Sequence, residues 1–372
     1  MHRIKVKSLK LDYEVLIGSN ILSQTGAEIK KLPFSGKIFI LTQKNAAKHY
    51  LAKLKNSLKK AGYSSVTVHY VPDGERAKAM SELVKIYEAL LKHGFERGDM
   101  LLALGGGVVG DLGGFAASTY LRGIKFVNVA TTLLAQVDSS IGGKTAVNLK
   151  EGKNLAGTFY PPHLVISDVA VLKTLPEREL KASLAEVVKY GVIRDPDLFC
   201  LLEKSRKKIV AKDLKVFEEM VLRSAQIKAE VVSRDEFETK GERVILNYGH
   251  TFGHAFEKAG KYKVLLHGEG VSIGMHCAAV LAVQLKLVSA DFCERQRALL
   301  QGLGLPYQLR KKQFNSKSIM QAMMHDKKKT AGKLRFILPT RMGKVAAFDN
   351  LKLSKVQKII KSMNSPQKVN KS

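Results

Sequence analysis

Acidic residues are scarce in this sequence: 33 Asp and Glu stand against 62 Lys and Arg, a formal charge of +29. Cysteine is scarcer still. Cys200, Cys277 and Cys293 are too few and too scattered for a disulfide framework or a cysteine-rich zinc site, so buried thiols in a reducing compartment are expected. There is no run of about 18 apolar residues, so no membrane-spanning helix is predicted. The basic N-terminus runs into alternating polar and apolar residues instead of the apolar stretch of a secretory leader, so a cytoplasmic protein is expected. Internal repeats are missing, as are zinc-finger, RNA-recognition and helix-turn-helix patterns. The positive charge is therefore read as a general surface property, part of it lining a site for an anionic substrate, with no specific nucleic-acid partner.

What is present is a chain of 372 residues, 45% hydrophobic, enough for two packed domains. Short β-branched runs at 37–42, 65–71, 100–104, 125–130 and 164–168 predict strands, and helical periodicity over 46–61 and 78–93 lies between them. That alternation predicts an α/β fold: an N-terminal Rossmann-like parallel-sheet domain over residues 1–170, then a mainly α-helical domain over 171–372. The polar residues 361–372 are expected to be a frayed tail.

Three features carry chemistry. The strand-like Met100–Leu104 runs into Gly105-Gly106-Gly107-Val-Val-Gly110-Asp111, a GxGxxG turn that can bring backbone N–H groups close to a pyrophosphate. The acidic residue usual about 20 positions later is missing, so the adenosine ribose must be held from elsewhere. Gly142-Gly143-Lys144-Thr145 looks like the end of a Walker A loop, but position 138 is Asp where that loop needs glycine, which argues against a P-loop nucleotidase. In Asn247-Tyr-Gly-His250-Thr-Phe-Gly-His254, two histidines four apart share a helix face, with His267 following. They can be a metal pair, or a ligand beside a proton donor. Glu186, on another helical segment, is a candidate carboxylate to complete a catalytic zinc site, although spacing alone does not choose the carboxylate. Lys144, Lys153, Asn154, Lys189, Lys228, Arg243 and Lys327-Lys328 would suit a substrate bearing both phosphate and carboxylate.

Across about residues 70 to 345 the chain resembles the 3-dehydroquinate synthases. The resemblance is carried by Pro72-Asp-Gly-Glu-Arg-Ala-Lys78, Gly105–Asp111, Ala116–Gly123, Thr131–Thr145, Gly152-Lys-Asn154, Leu184–Gly191, Asn247–His254 and Asp326-Lys-Lys. It implies Zn2+, with Co2+ possible, on Glu186, His250 and His267. It implies NAD+ on Asn45, Asp73, Glu75, Lys78, Gly105, Gly106, Gly107, Gly110, Asp111, Thr131, Thr132, Asp138, Lys144, Lys153 and Thr174. A phosphorylated sugar acid would be held by Arg122, Asp138, Lys144, Asn154, Lys189, Lys228, Arg243, Asn247, His254 and Lys327 or Lys328, with Lys144, Asn154 and His254 serving catalysis. Arg122 resembles an arginine that family members donate to the neighbouring subunit, which implies a homodimer. The implied reaction takes 3-deoxy-D-arabino-heptulosonate 7-phosphate through transient oxidation at C5, phosphate elimination, re-reduction and intramolecular aldol closure to 3-dehydroquinate, with NAD+ regenerated.

The sequence departs from that family at a few positions. Gln43 stands where many members carry an acid, Ser183 replaces a common glycine, and Gly270 stands where alanine is usual. The 235–243 stretch is one residue longer than in many members, which bears on Lys228. The competing readings are another sugar phosphate cyclase with a different product, a metal-dependent alcohol or glycerol dehydrogenase, and a nucleic-acid-binding protein.

Overall fold

The structure is a computed structural model. It describes residues 1–309, 314–329, 334–349 and 351–363, and only the backbone of 325–329. By spatial proximity the chain forms two compact units, Met1–Leu175 with Lys212–Lys240, and Pro176–Ala211 with Gly241–Ser372.

The first unit is built on strands β1 (His2–Val6), β2 (Tyr13–Gly18), β3 (Ile38–Gln43), β4 (Val66–Val71), β5 (Met100–Gly105), β6 (Lys125–Ala130), β7 (Lys144–Leu149), β8 (Gly152–Phe159) and β9 (Leu164–Asp168). Seven of them form one sheet in the order β1-β2-β9-β6-β5-β3-β4, parallel except for the β1–β2 pair. β5 and β9 are buried along their whole length and β3 in all but its last residue, as expected of central strands covered on both faces. On one face Phe39, Leu41, Leu101 and Ala103 pack with Leu83, Ile86 and Leu90 of the helix Met80–Lys92 and with Leu112 and Ala116 of the helix Gly107–Thr119. The chain leaves β3 for β4 on one side and returns to β5 on the other. This reversal is a topological switch point at the carboxyl ends of β3 and β5, the place where open α/β sheets bind ligands. The five expected strands and both expected helices are present to within two residues; β1, β2 and the β7–β8 hairpin are additional. Lys144 opens β7 rather than a helix, which removes the Walker A reading on structural grounds.

A helix of the chain's second half belongs to this unit. Leu214–Arg234 buries Val216, Phe217, Met220 and Val221 and packs on β1 and β2, so residues 212–240 join the sheet instead of following a linear division at residue 170. Its amphipathic pattern announces a helix but not the surface it covers.

The second unit is mainly helical, with a small antiparallel pair, β10 (Phe336–Arg341) and β11 (Lys344–Phe348). The helix Glu177–Ile193 is buried without interruption from Ala182 to Ile193 and is its central rod. The helices His250–Ala259 and His267–Gln284 meet each other at glycines: a Cβ on Gly274 would lie 2.0 Å from the Gly249 carbonyl oxygen. A Cβ on Gly268 would lie 1.8 Å from the Ala182 carbonyl oxygen, so bare backbone also brings the third helix against the rod. The tail expected from residue 361 is corrected at its start, because Lys361–Met363 close the helix Leu353–Met363 with Met363 buried against the unit. Residues 364–372 lie outside those described.

Candidate active site

The close helix crossings of the second unit converge three side chains. Glu186 projects from the buried rod, His250 opens one helix directly after Gly249 (φ 81°), and His267 opens another. His250 Nε2 and His267 Nε2 each lie 3.5 Å from Glu186 Oε1, and ligand-type atoms of the three lie within 4.8 Å of one another. The opposite nitrogens are engaged elsewhere: His250 Nδ1 is 3.2 Å from the Tyr248 carbonyl oxygen, and His267 Nδ1 is 3.0 Å from Glu257 Oε1. Lys189, one turn along the rod and buried, pairs with Glu186 Oε2.

The electrostatics follow from this crowding. Burial opposes ionisation of Glu186, yet Lys189, His250 and His267 together hold its carboxyl well below the usual carboxylate range. Burial keeps His250 neutral, well below its ordinary value. For His267 burial acts in the same sense, but the facing carboxylates of Glu186 and Glu257 outweigh it and push the imidazole up to about 10. Both Glu186 oxygens are buried, and neither accepts a well-directed hydrogen bond among the described residues. An ionised carboxylate left in that state beside two imidazole Nε2 atoms is a one-oxygen, two-nitrogen donor set. Such a set fits a divalent cation of the catalytic-zinc type. His254 follows His250 by one turn, with ring centroids 5.3 Å apart, and is exposed. Arg243 is buried and Asn247 exposed, at the two ends of the short helix that precedes His250.

In the first unit, the turn between β5 and the helix Gly107–Thr119 is tight because glycines allow close approach. A Cβ would lie 2.8 Å from Thr132 Cγ2 if added at Gly106, 2.8 Å from Ser139 Oγ at Gly107 and 2.7 Å from Asn128 Nδ2 at Gly110. None of Gly105, Gly106, Gly107 and Gly110 has positive φ. The turn is thereby pressed against Thr131, Thr132 and the Ala135–Ser139 turn that carries Asp138, and Thr131 N–H donates to the Gly105 carbonyl at 2.9 Å.

Beside this turn the sequence-predicted polar residues are joined. Buried Lys78 donates to Asp111 Oδ2 at 2.5 Å and to Asn154 Oδ1. Asn154 N–H donates to Asn148 Oδ1 at 2.9 Å, Asn148 Nδ2 donates to Glu75 Oε1 at 2.9 Å, and Lys153 Nζ lies 3.6 Å from the same oxygen. Burial pushes Asp111 up to about 6, against the pull of Lys78 and with help from Glu75 and Asp138. Lys228 donates to Asp138 Oδ1 at 2.7 Å, and exposed Lys144 pairs with Glu238. At the end of β3, Gln43 Nε2 donates to the carbonyls of Pro72 at 2.7 Å and Gly74 at 3.2 Å, while Asn45 N–H donates to Asp73 Oδ1 at 3.2 Å. Thr174 Oγ1 is hydrogen-bonded to Tyr50 OH.

Arg122 stands apart. It is exposed, and Leu121 (φ 48°) and Arg122 (φ 68°) are successive non-glycine residues in the left-handed region, each costing on the order of 1–3 kcal/mol. The side chains of Lys327 and Lys328 lie outside the described residues. The residue that sequence reasoning passed over is Glu257, two turns after His250 and so on the same helix face; the spacing was readable, but its partner His267 lies on another helix.

A family model described as 3-dehydroquinate synthase N-terminal matches residues 68–182, and one described as 3-dehydroquinate synthase C-terminal matches residues 183–329. The chain belongs to the 3-dehydroquinate synthase family. A relative named 3-dehydroquinate synthase from Desulforamulus reducens is 45% identical over 352 residues, covering 95% of this chain and 97% of its own. Among solved structures, 2-epi-5-epi-valiolone synthase from Streptomyces hygroscopicus subsp. jinggangensis, with NAD+ and Zn2+ bound, is 28% identical with a TM-score of 0.86, covering 97% of this chain and 99% of its own. A 2-deoxy-scyllo-inosose synthase complexed with carbaglucose-6-phosphate, NAD+ and Co2+ is 26% identical with a TM-score of 0.81, covering 97% of this chain and 100% of its own. The family's fold, an N-terminal α/β part with a helical C-terminal part, is the one expected from the sequence.

Proposed function

We propose that this chain is an active 3-dehydroquinate synthase, converting 3-deoxy-D-arabino-heptulosonate 7-phosphate to 3-dehydroquinate and phosphate. The single observation that carries the reading is the Glu186–His250–His267 donor set, in a chain 45% identical over nearly its whole length to a relative of that name. Cyclases with other products match at 26–28% identity, which favours the dehydroquinate product over theirs.

In this reading Glu186, His250 and His267 hold a divalent metal, zinc by preference and cobalt as a substitute. The Gly105–Gly107 turn, Asp111, Glu75, Lys78, Lys153, Thr131, Thr132, Thr174, Asn45 and Asp73 hold NAD+. When bound there, the metal would supply Lewis acidity toward a substrate hydroxyl, and NAD+ would supply the reversible hydride chemistry needed at C5. The chain's own groups do the rest. Lys189 neutralises Glu186 and keeps it ionised inside the unit. His254, exposed one turn from His250, holds a proton at the phosphate end, and Lys144 and Asn154 position that end while the phosphate C–O bond breaks. Lys228 and Arg243 take the substrate carboxylate, assisted by Asn247, Asp138 and one of Lys327 and Lys328. The strained, exposed Arg122 supplies a cation to a second copy of the chain, which makes the working form a homodimer, and the site of action is the cytoplasm.

The experiment is to follow phosphate release from that substrate by zinc-loaded protein with NAD+, identifying the organic product and monitoring reduced cofactor. Phosphate and 3-dehydroquinate should appear together without net NADH, and Glu186→Ala and His267→Ala should abolish both. Protein that holds zinc and NAD+ yet releases no phosphate would transfer the assignment to a cyclase of another substrate, and accumulating NADH would indicate a dehydrogenase.

A further inference from the structure

Two groups of ligand-type side chains share one imidazole: Glu186–His250–His267, and His254–Glu257–His267. A neutral imidazole has one lone pair to give, so the ring cannot serve both groups as a metal ligand in the same tautomer. The contacts of its two nitrogens separate the roles. Nε2 faces Glu186 Oε1 at 3.5 Å, and Nδ1 lies 3.0 Å from Glu257 Oε1. Glu257 is buried, and the first turn of the neighbouring helix backs it: a Cβ at Gly270 would lie 3.2 Å from Glu257 Cγ and 3.3 Å from Oε1. The carboxylate is thus packed in place facing the ring. His250 is oriented differently, its Nδ1 meeting a neutral backbone carbonyl.

We infer that Glu257 is the positioning residue of the metal centre: its carboxylate accepts the Nδ1 proton of His267, fixes the ring's tautomer and rotation, and presents Nε2 to the cation without itself becoming a ligand. Carboxylate partners of this kind strengthen a metal site by orienting the histidine and raising its basicity, and their loss costs about 10–100-fold in metal affinity. The inference rests on the metal reading of Glu186, His250 and His267.

The test is Zn2+ affinity of the full chain by chelator competition, for wild type, Glu257→Ala, Glu257→Gln, Glu186→Ala and His254→Ala, together with the visible spectrum of the Co2+ forms. Glu257→Ala should weaken Zn2+ about 10–100-fold while keeping the wild-type Co2+ spectrum, because the ligands are unchanged. Glu257→Gln keeps an acceptor oxygen and should recover most of the loss, and His254→Ala should bind like wild type. Wild-type affinity in Glu257→Ala overturns the inference. So does a Co2+ spectrum altered by Glu257→Ala and His254→Ala but not by Glu186→Ala, which would place the cation in the other group. Should Glu257→Ala fail to fold, 15N shifts of the histidine rings in zinc-loaded wild type decide: His267 must carry its proton on Nδ1, and the opposite tautomer sinks the idea. Wild type that binds no Zn2+ removes the metal reading itself, and the inference with it.

Discussion

The candidate-site residues of the two units carry their charges differently. In the first, cations and anions meet in pairs: Lys78 with Asp111, Lys228 with Asp138, Lys144 with Glu238. At the donor set of the second, one fully buried carboxylate faces Lys189 and two imidazoles, and neither oxygen makes a well-directed hydrogen bond among the described residues. The first arrangement is close to neutral by itself, each cation having its own carboxylate. The second is a concentrated donor set whose geometry is fixed before any cation arrives. Substitution should therefore be severe in the second unit and graded in the first.

The largest effect is expected at Glu186. Glu186→Ala leaves Lys189, 1% exposed, as an uncompensated buried charge, which costs about 3–5 kcal/mol of stability in addition to abolishing metal uptake. Glu186→Gln, with the same shape, should also lose the metal. Urea denaturation and zinc stoichiometry measure both effects; a Glu186→Ala protein as stable as wild type and still holding one zinc would erase the contrast between the units.

Next comes a pH effect of opposite sign with and without metal. In the metal-free chain His267 is raised from 6.5 to about 10, so it contributes stability that is fully present below about pH 6.5 and lost as pH rises toward 10. The melting temperature of metal-free protein should fall across that window. Metal uptake near pH 7.5 should release a proton from His267, because His250 is already neutral and Glu186 already ionised. Zinc affinity should accordingly rise with pH in the same window. Calorimetric titrations in buffers of different ionisation enthalpy count the proton; no release would mean that His267 is neutral in the metal-free chain.

How far the sequence reveals each unit follows the same contrast. The strands of the sheet and the HxxxH pair are local patterns, since a β-branched run or a four-residue spacing fixes its own geometry. Glu186 could be named only as a candidate, because its place beside His250 and His267 depends on helices meeting at Gly249, Gly268 and Gly274, which spacing does not encode. The same reason hid Glu257. The helix Leu214–Arg234 was legible as a helix, but its packing on β1 and β2 was not, and that packing brings Lys228 to Asp138. The alternation of Arg3 and Lys5 with apolar residues is the pattern of β1, a half-exposed edge strand, but over five residues it is too short to stand out from a loop.

A moderate effect is expected within the first unit. Asp111, shifted from 3.8 to about 6 chiefly by burial, favours the native state fully below about pH 4, and that contribution is lost as pH rises through about 6. Asp111→Asn mimics the protonated form at every pH. It should match wild type below pH 4 and be more stable above pH 6, by about 2–3 kcal/mol, with the gap opening between the two values. Parallel stability curves would mean that Lys78 outweighs burial, and the pair would then resemble the concentrated charge of the second unit.

The smallest effect is expected at the exposed Lys144–Glu238 pair. Pairs of this kind contribute about 0–1 kcal/mol, so Glu238→Ala should leave the denaturation midpoint nearly unchanged. Its consequence should appear in ligand binding. If Lys144 exchanges Glu238 for a phosphate oxygen, the glutamate competes with that ligand, and removing it should tighten inhibition by inorganic phosphate a few-fold, more at low ionic strength than at high. Lys144→Ala should weaken the same inhibition and make a further Glu238→Ala substitution silent. Inhibition constants for the four proteins of this cycle measure the coupling directly. Additive effects would show that the pair is only a surface contact, whereas full coupling would identify Glu238 as the group that occupies the phosphate cation until substrate arrives.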